Sequence, residues 1–144
     1  MKLVRTLLML AAAVLLGTVT MTAQGGQKKW ADEDLEKLMK EIGGSVGATR
    51  KAIEGQNAEL AKTNAAKMGT LFADVQAFWK SRNVTDAADT AGEAMKHAKA
   101  VEGAVDAKDF TKAAEHAKML QGTCASCHMK YRDKGPDGSY RIKP

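Results

Sequence analysis

The stretch Cys124-Ala125-Ser126-Cys127-His128 uses both cysteines of this 144-residue chain and one of its three histidines. C-x-x-C-H is the attachment signature of a c-type haem. The chemistry accounts for the spacing. Two thiols one helical turn apart add to the two vinyl groups on one edge of a porphyrin, and the adjacent imidazole reaches the iron from one face. Thioether bonds make the cofactor permanent, where a metal held by His128 alone would exchange. Three other readings compete. A redox C-x-x-C belongs beside a βαβ pattern, and none is visible. A zinc site needs further Cys or His at ligand spacing, and only His97 and His116 remain. A plain disulfide gives no reason for the histidine. One covalent haem c on Cys124 and Cys127, with His128 on the iron, is the expectation.

Outward from this motif, the chain reads as helices. Between residues 1 and 135 there is no proline; the two prolines are Pro136 and Pro144. Long helices are therefore unobstructed, and the 3.6-residue apolar period appears four times. The motif sits late in the fourth stretch, which follows Asp109 and runs to about Arg132. Its apolar stripe is Phe110, Ala113, Ala114, Ala117, Leu120, Cys124, Cys127 and Tyr131. The first stretch covers about 32–53. Asp32, Glu33 and Asp34 crowd its start, where negative charge suits the helix dipole. Its stripe is Leu35, Leu38, Met39, Ile42, Val46, Thr49 and Ile53. Gly43 and Gly47 share the face of Met39 and read either as a bare surface for a flat macrocycle or as close helix packing. The second stretch covers about 58–80, with Met68, Leu71, Phe72, Val75, Phe78 and Trp79 inward. The third covers about 85–105 and presents a small, Ala-rich face.

Four helices with short links favour an all-α, antiparallel up-down-up-down four-helix bundle. Aromatic residues make up only 5% of the chain, so a buried haem between the first, second and fourth helices would supply missing apolar volume. Phe72, Val75 and Trp79 are the expected walls from the second helix. After Lys134, Gly135-Pro136 and Asp137-Gly138 are turn signals, and residues 134–144 read as an irregular surface tail.

The N-terminus reads as an address. Lys2 and Arg5 precede an apolar run from Thr6 to Val19, and residues 20–26 are small and polar, as in a secretory signal peptide. The competing reading is a membrane anchor, for which the run is short against the ~20 residues a span needs. Cleavage after Ala23 or Gly25 fits the pattern. Residues 1–23 are thus expected to be the signal and 24–133 the helical domain, exported to the periplasm with no stable membrane span. Export and C-x-x-C-H support each other, because c-type haem is normally attached outside the cytoplasm. Losing Lys2 and Arg5 lowers the formal net charge of +5 by two. The remaining mildly basic surface is no nucleic-acid signature and gives a weak preference for acidic partners.

With the helices in place, the chain resembles a class II cytochrome c, the family of cytochrome c prime and its low-spin relatives. Cys124 through Arg132 resembles the family's C-x-x-C-H-x-x-Y-R, placed late in the chain, whereas class I cytochromes c carry the motif near the N-terminus. Leu35-Glu36-Lys37-Leu38-Met39-Lys40 resembles the family segment R-q-a-l-M-k. Leu35 departs from it, standing where the family commonly has Arg. The resemblance implies a haem domain in which Met39 faces the distal side of the iron. Low-spin members have Met there, and cytochrome c prime proper has a residue that does not ligate. Dimerisation through the first two helices is common in the resembled family.

Helix geometry gives Met39 the same place. In an up-down-up-down bundle the start of the first helix and the end of the fourth lie at one end. Met39 is ~10 Å from the start of its helix and His128 ~6 Å from the end of its own, so they sit at similar depth. Met68, ~18 Å along, and Met95, ~15 Å along, are poorer candidates, and Met129 adjoins His128 on the wrong side. Methionine also fills gaps in cores, which is the bland reading of Met39. His97 and His116 are expected on solvated helix faces. Arg132 reads either as a group beside the haem or as a cation stabilising a helix C-terminus.

No G-x-S-x-G, phosphate loop or spare Cys–His pair points to hydrolytic or group-transfer catalysis, so the chain is not read as an enzyme. Two function classes remain. One is an electron carrier with His128/Met39 ligation, serving redox partner proteins in the periplasm. The other is a five-coordinate haem protein binding nitric oxide or carbon monoxide at an open iron.

Overall fold

A computed structural model describes residues 28–136 and 138–143. The expected signal segment lies outside the described residues. Four helices follow one another: α1 Asp32–Glu54, α2 Ala58–Ser81, α3 Thr85–Asp106 and α4 Phe110–Tyr131. All four occur where the apolar period places them, within a residue or two at each end. Among the described residues no helix is long and apolar enough to cross a membrane.

Three of the four helix starts have a side-chain cause; α3, which follows Val84, has no side-chain cap. Asp34 Oδ2 accepts a hydrogen bond from the Ala31 N–H at 3.0 Å, closing the first turn of α1. Asn57 caps α2 by accepting from the Leu60 N–H, and Asp109 caps α4 by accepting from the Lys112 N–H. These side-chain oxygens satisfy N–H groups that have no partner within the helix. Asp106, in contrast, belongs to the end of α3 and pairs with Lys62.

The three links share one construction. Gln56, Asn83 and Lys108 sit in the middle of each link with φ of 51°, 59° and 58°. The next residue then bonds back across the turn: Asn57 N–H to Ala52, Val84 N–H to Trp79 and Asp109 N–H to Ala104. This 6→1 closure ends a helix abruptly and reverses the chain. Consecutive helices therefore run antiparallel. Ion pairs across the helix ends agree with this: Arg82 at the end of α2 meets Asp32 at the start of α1, and Lys130 near the end of α4 meets Asp86 at the start of α3.

The core is continuous from α1 to α3. Phe78, wholly buried, meets Trp30 and Trp79 edge-on, at ring-centroid distances of 6.3 and 5.1 Å. Alanines fill α3, where Ala87, Ala88, Ala91, Ala94 and Ala98 are buried, so α2 and α3 lie close. α4 differs. Only Ala113 and Leu120 of its 22 residues are buried, and its contact with α1 is far sparser than the other neighbouring pairs make. The bundle is closed on three sides and open along the α1–α4 seam.

The C-terminal tail corrects the expectation of irregular chain. Arg132–Lys134 (β1) pairs antiparallel with Tyr140–Ile142 (β2), in the register Arg132↔Ile142, Asp133↔Arg141 and Lys134↔Tyr140. Gly138 takes φ of +79° in the turn, a conformation glycine adopts without steric cost. The hairpin is fastened to α4, because Lys143 donates from its N–H to the Tyr131 carbonyl and from Nζ to the Met129 carbonyl. Sequence inspection missed it because each strand is three residues long and exposed apart from the half-buried Ile142, which leaves no apolar alternation to detect.

Candidate functional site

The open seam is a cleft of about 750 Å³, within the range of small-molecule and cofactor sites. One wall is α1, through Met39, Ile42, Gly43 and Val46. The facing wall is the last two turns of α4, through Cys124, Cys127 and His128. Phe72 and Val75 of α2, with Thr90, Ala91 and Ala94 of α3, form the floor. The hairpin closes one end with Arg132, Asp133, Lys134 and Tyr140.

All four expected site residues, Met39, Cys124, Cys127 and His128, line this one cleft. Helical spacing explains the α4 group: positions i, i+3 and i+4 share a face. The two cysteines stand as separate thiols. Burial, and then the neighbouring Cys127, push the Cys124 thiol up to about 11; burial also raises Cys127. Both are therefore neutral thiols at neutral pH in the chain as it stands. Burial, with Arg132 adding repulsion, holds the His128 imidazole below its ordinary value. A neutral imidazole keeps a ring nitrogen lone pair free for a metal.

Gly43 separates the two readings given to the α1 glycines. A Cβ placed there meets no atom within 4 Å, so no neighbouring helix packs against it. It faces the cleft and leaves that wall bare. Gly47 likewise has nothing within 4 Å.

Other expectations need correction. Trp79 is not a wall of the cleft. It is buried behind it, with its ring 5.1 Å from that of Tyr131 at a 43° tilt and edge-on to Phe78. His97 and His116 are not free surface residues. They are half-buried between α3 and α4, with ring centroids 6.0 Å apart. A His116 nitrogen, Nδ1, is enclosed without a hydrogen-bond partner among the described residues. Met68 is core, 2% exposed, and away from the cleft. Arg132 is the residue that ends α4 and it lines the cleft, with its guanidinium 4.2 Å above the Tyr140 ring.

The α3 floor and the hairpin rim were missed by sequence reasoning. Alanine on α3 carried no signal beyond small size. The hairpin signal was a glycine-containing loop between two short runs, visible only as turn residues.

No family model, curated protein or solved structure matches this chain.

Proposed function

We propose that this chain is an exported c-type cytochrome of the class II kind, moving single electrons between redox partner proteins in the periplasm. Cys124, Cys127 and His128 would hold one haem, and Met39 would supply a further ligand to its iron. The observation that carries this reading is the convergence of these four side chains on one apolar cleft in an otherwise closed bundle.

The residues present fit the group. The cleft is broad, its α1 wall is bare at Gly43, and the two thiols lie a helical turn apart beside an imidazole. Cys124 and Cys127 would hold the haem through thioether bonds, each thiol giving its sulfur to one carbon of a vinyl group and its proton to the other. His128 would offer a ring-nitrogen lone pair to the iron. Met39 would offer a thioether sulfur, a ligand that favours ferrous iron and raises the potential. The haem, when bound, supplies a one-electron Fe(III)/Fe(II) couple. The surrounding Ile42, Val46, Phe72, Val75 and Ala91 exclude water and keep the couple in a low dielectric.

The test is an absorption spectrum of purified oxidised and reduced protein, with and without carbon monoxide. The reading expects a low-spin spectrum that carbon monoxide leaves unchanged. A high-spin wild-type protein that binds carbon monoxide readily would place the chain with five-coordinate gas binders.

A further inference from the structure

A haem is an apolar disc with two carboxylates at one edge. The cleft that would receive it is apolar inside, and an ionised carboxylate is costly there without a partner. The carboxylates must therefore meet cations at the rim. The wall of α1 provides none: Met39, Ile42, Gly43 and Val46 are uncharged, and Leu35, one turn nearer the end of the bundle, is buried in the core. Apart from His128, Arg132 and Lys134 are the basic side chains among the described residues of the lining. Both come from the C-terminal hairpin.

We propose that this hairpin is the clamp for the carboxylate edge of the haem, with Arg132 and Lys134 pairing with the propionates and Tyr140 holding Arg132 in place. The inference rests on the haem reading of the cleft and adds a role for residues outside the C-x-x-C-H motif.

The pairing register supports it. Residues two apart on a strand, and residues directly opposite, share a face. Arg132, Lys134, Tyr140 and Ile142 therefore lie on one face of the hairpin, and Asp133, which also lines the cleft, lies with Arg141 on the other. Ile142 packs against the core at one end of that face, while Arg132, Lys134 and Tyr140 stand exposed at the rim of the cleft. Tyr140, 61% exposed, would be an unfavourable surface aromatic but for the Arg132 guanidinium above it. That contact fixes an otherwise flexible side chain at the mouth of the cleft. The two bonds from Lys143 to the end of α4 hold the whole rim in register with His128. Neither Arg132 nor Lys134 has a carboxylate partner among the described residues. A guanidinium is suited to bidentate carboxylate pairing, and an ammonium to a single charge-assisted bond.

The test uses holoprotein variants Arg132→Gln, Lys134→Gln and Tyr140→Ala, with Lys112→Gln at the start of α4 as the distant control. Lys134 is exposed in a short strand, so its replacement does not threaten the fold. Two readouts are taken, the propionate bending bands in the resonance Raman spectrum and the midpoint potential. The clamp expects the bands to shift in all three variants. It also expects the potential to fall in Arg132→Gln and Lys134→Gln, because an unpaired propionate stabilises ferric iron. Lys112→Gln stays at wild-type values. Covalent haem with bands and potential unmoved in Arg132→Gln and Lys134→Gln overturns the clamp and leaves the cytochrome reading standing. Protein that carries no covalent haem overturns both.

Discussion

Met39 on α1 and His128 on α4 line the same cleft from its two flanking helices. Met39 is half-buried, at the cleft rather than in the core, whereas Met68 is 2% exposed among core side chains. The two methionines should therefore answer to different measurements. Met39→Ala is expected to convert a low-spin spectrum to high-spin and open the iron to carbon monoxide, with little loss of stability. Met68→Ala is expected to leave the spectrum alone and to cost about 2–5 kcal/mol in denaturant unfolding, as buried Met→Ala changes do. Spectral conversion by Met68→Ala, with none by Met39→Ala, would remove Met39 from the iron.

The open α1–α4 seam predicts a fold that depends on what fills it. α4 buries only Ala113 and Leu120, so without a group in the cleft it is held chiefly by α3. Protein made without haem maturation should melt at lower temperature and over a broader range than the haem-loaded form, with α4 the first helix lost. Circular dichroism on the two forms checks this. Equal midpoints and equal cooperativity would mean that the seam needs no filling.

Asp86 gives the bundle an acid limit. Hydrogen bonds from Lys130 and then Tyr131 hold its carboxyl down to about 2, from an ordinary 3.8. The folded value is the lower one, so the stabilisation is present above the unfolded value and is lost as pH falls through the folded value. Between about pH 4 and pH 2 the wild-type melting temperature should drop more steeply than that of Asp86→Asn. The pair is exposed, and salt should shrink the difference. Parallel curves for the two proteins would show that Asp86 contributes no pH dependence.

The helices and the heart of the site were legible in the sequence because each rests on local, periodic chemistry. The α1 stripe from Leu35 to Ile53 is a 3.6-residue pattern, and Cys124, Cys127 and His128 carry their spacing within two turns of one helix. Met39 was placed by helix rise and by resemblance, and the cleft includes it. Trp79 was misplaced because periodicity gives the inward stripe of α2 but not which part of it faces α1 and which faces α4. His97 and His116 were taken for surface because each has Lys and Ala neighbours in sequence. Their burial comes from packing across α3 and α4, a relation no single helix displays. The hairpin escaped because Arg132, Lys134 and Tyr140 are exposed, and their pairing depends on Gly138 and on Lys143 reaching back to α4.

The central claim is that Cys124 and Cys127 carry a haem by covalent bonds. The most direct measurement is the intact mass of the denatured protein, expressed with a c-type maturation system and extracted with acid acetone. The account predicts a chain heavier by one haem, with no colour passing into the solvent, and loss of at least one thioether in Cys124→Ala and in Cys127→Ala. A bare chain mass with the haem in the solvent, or no haem at all, would contradict it.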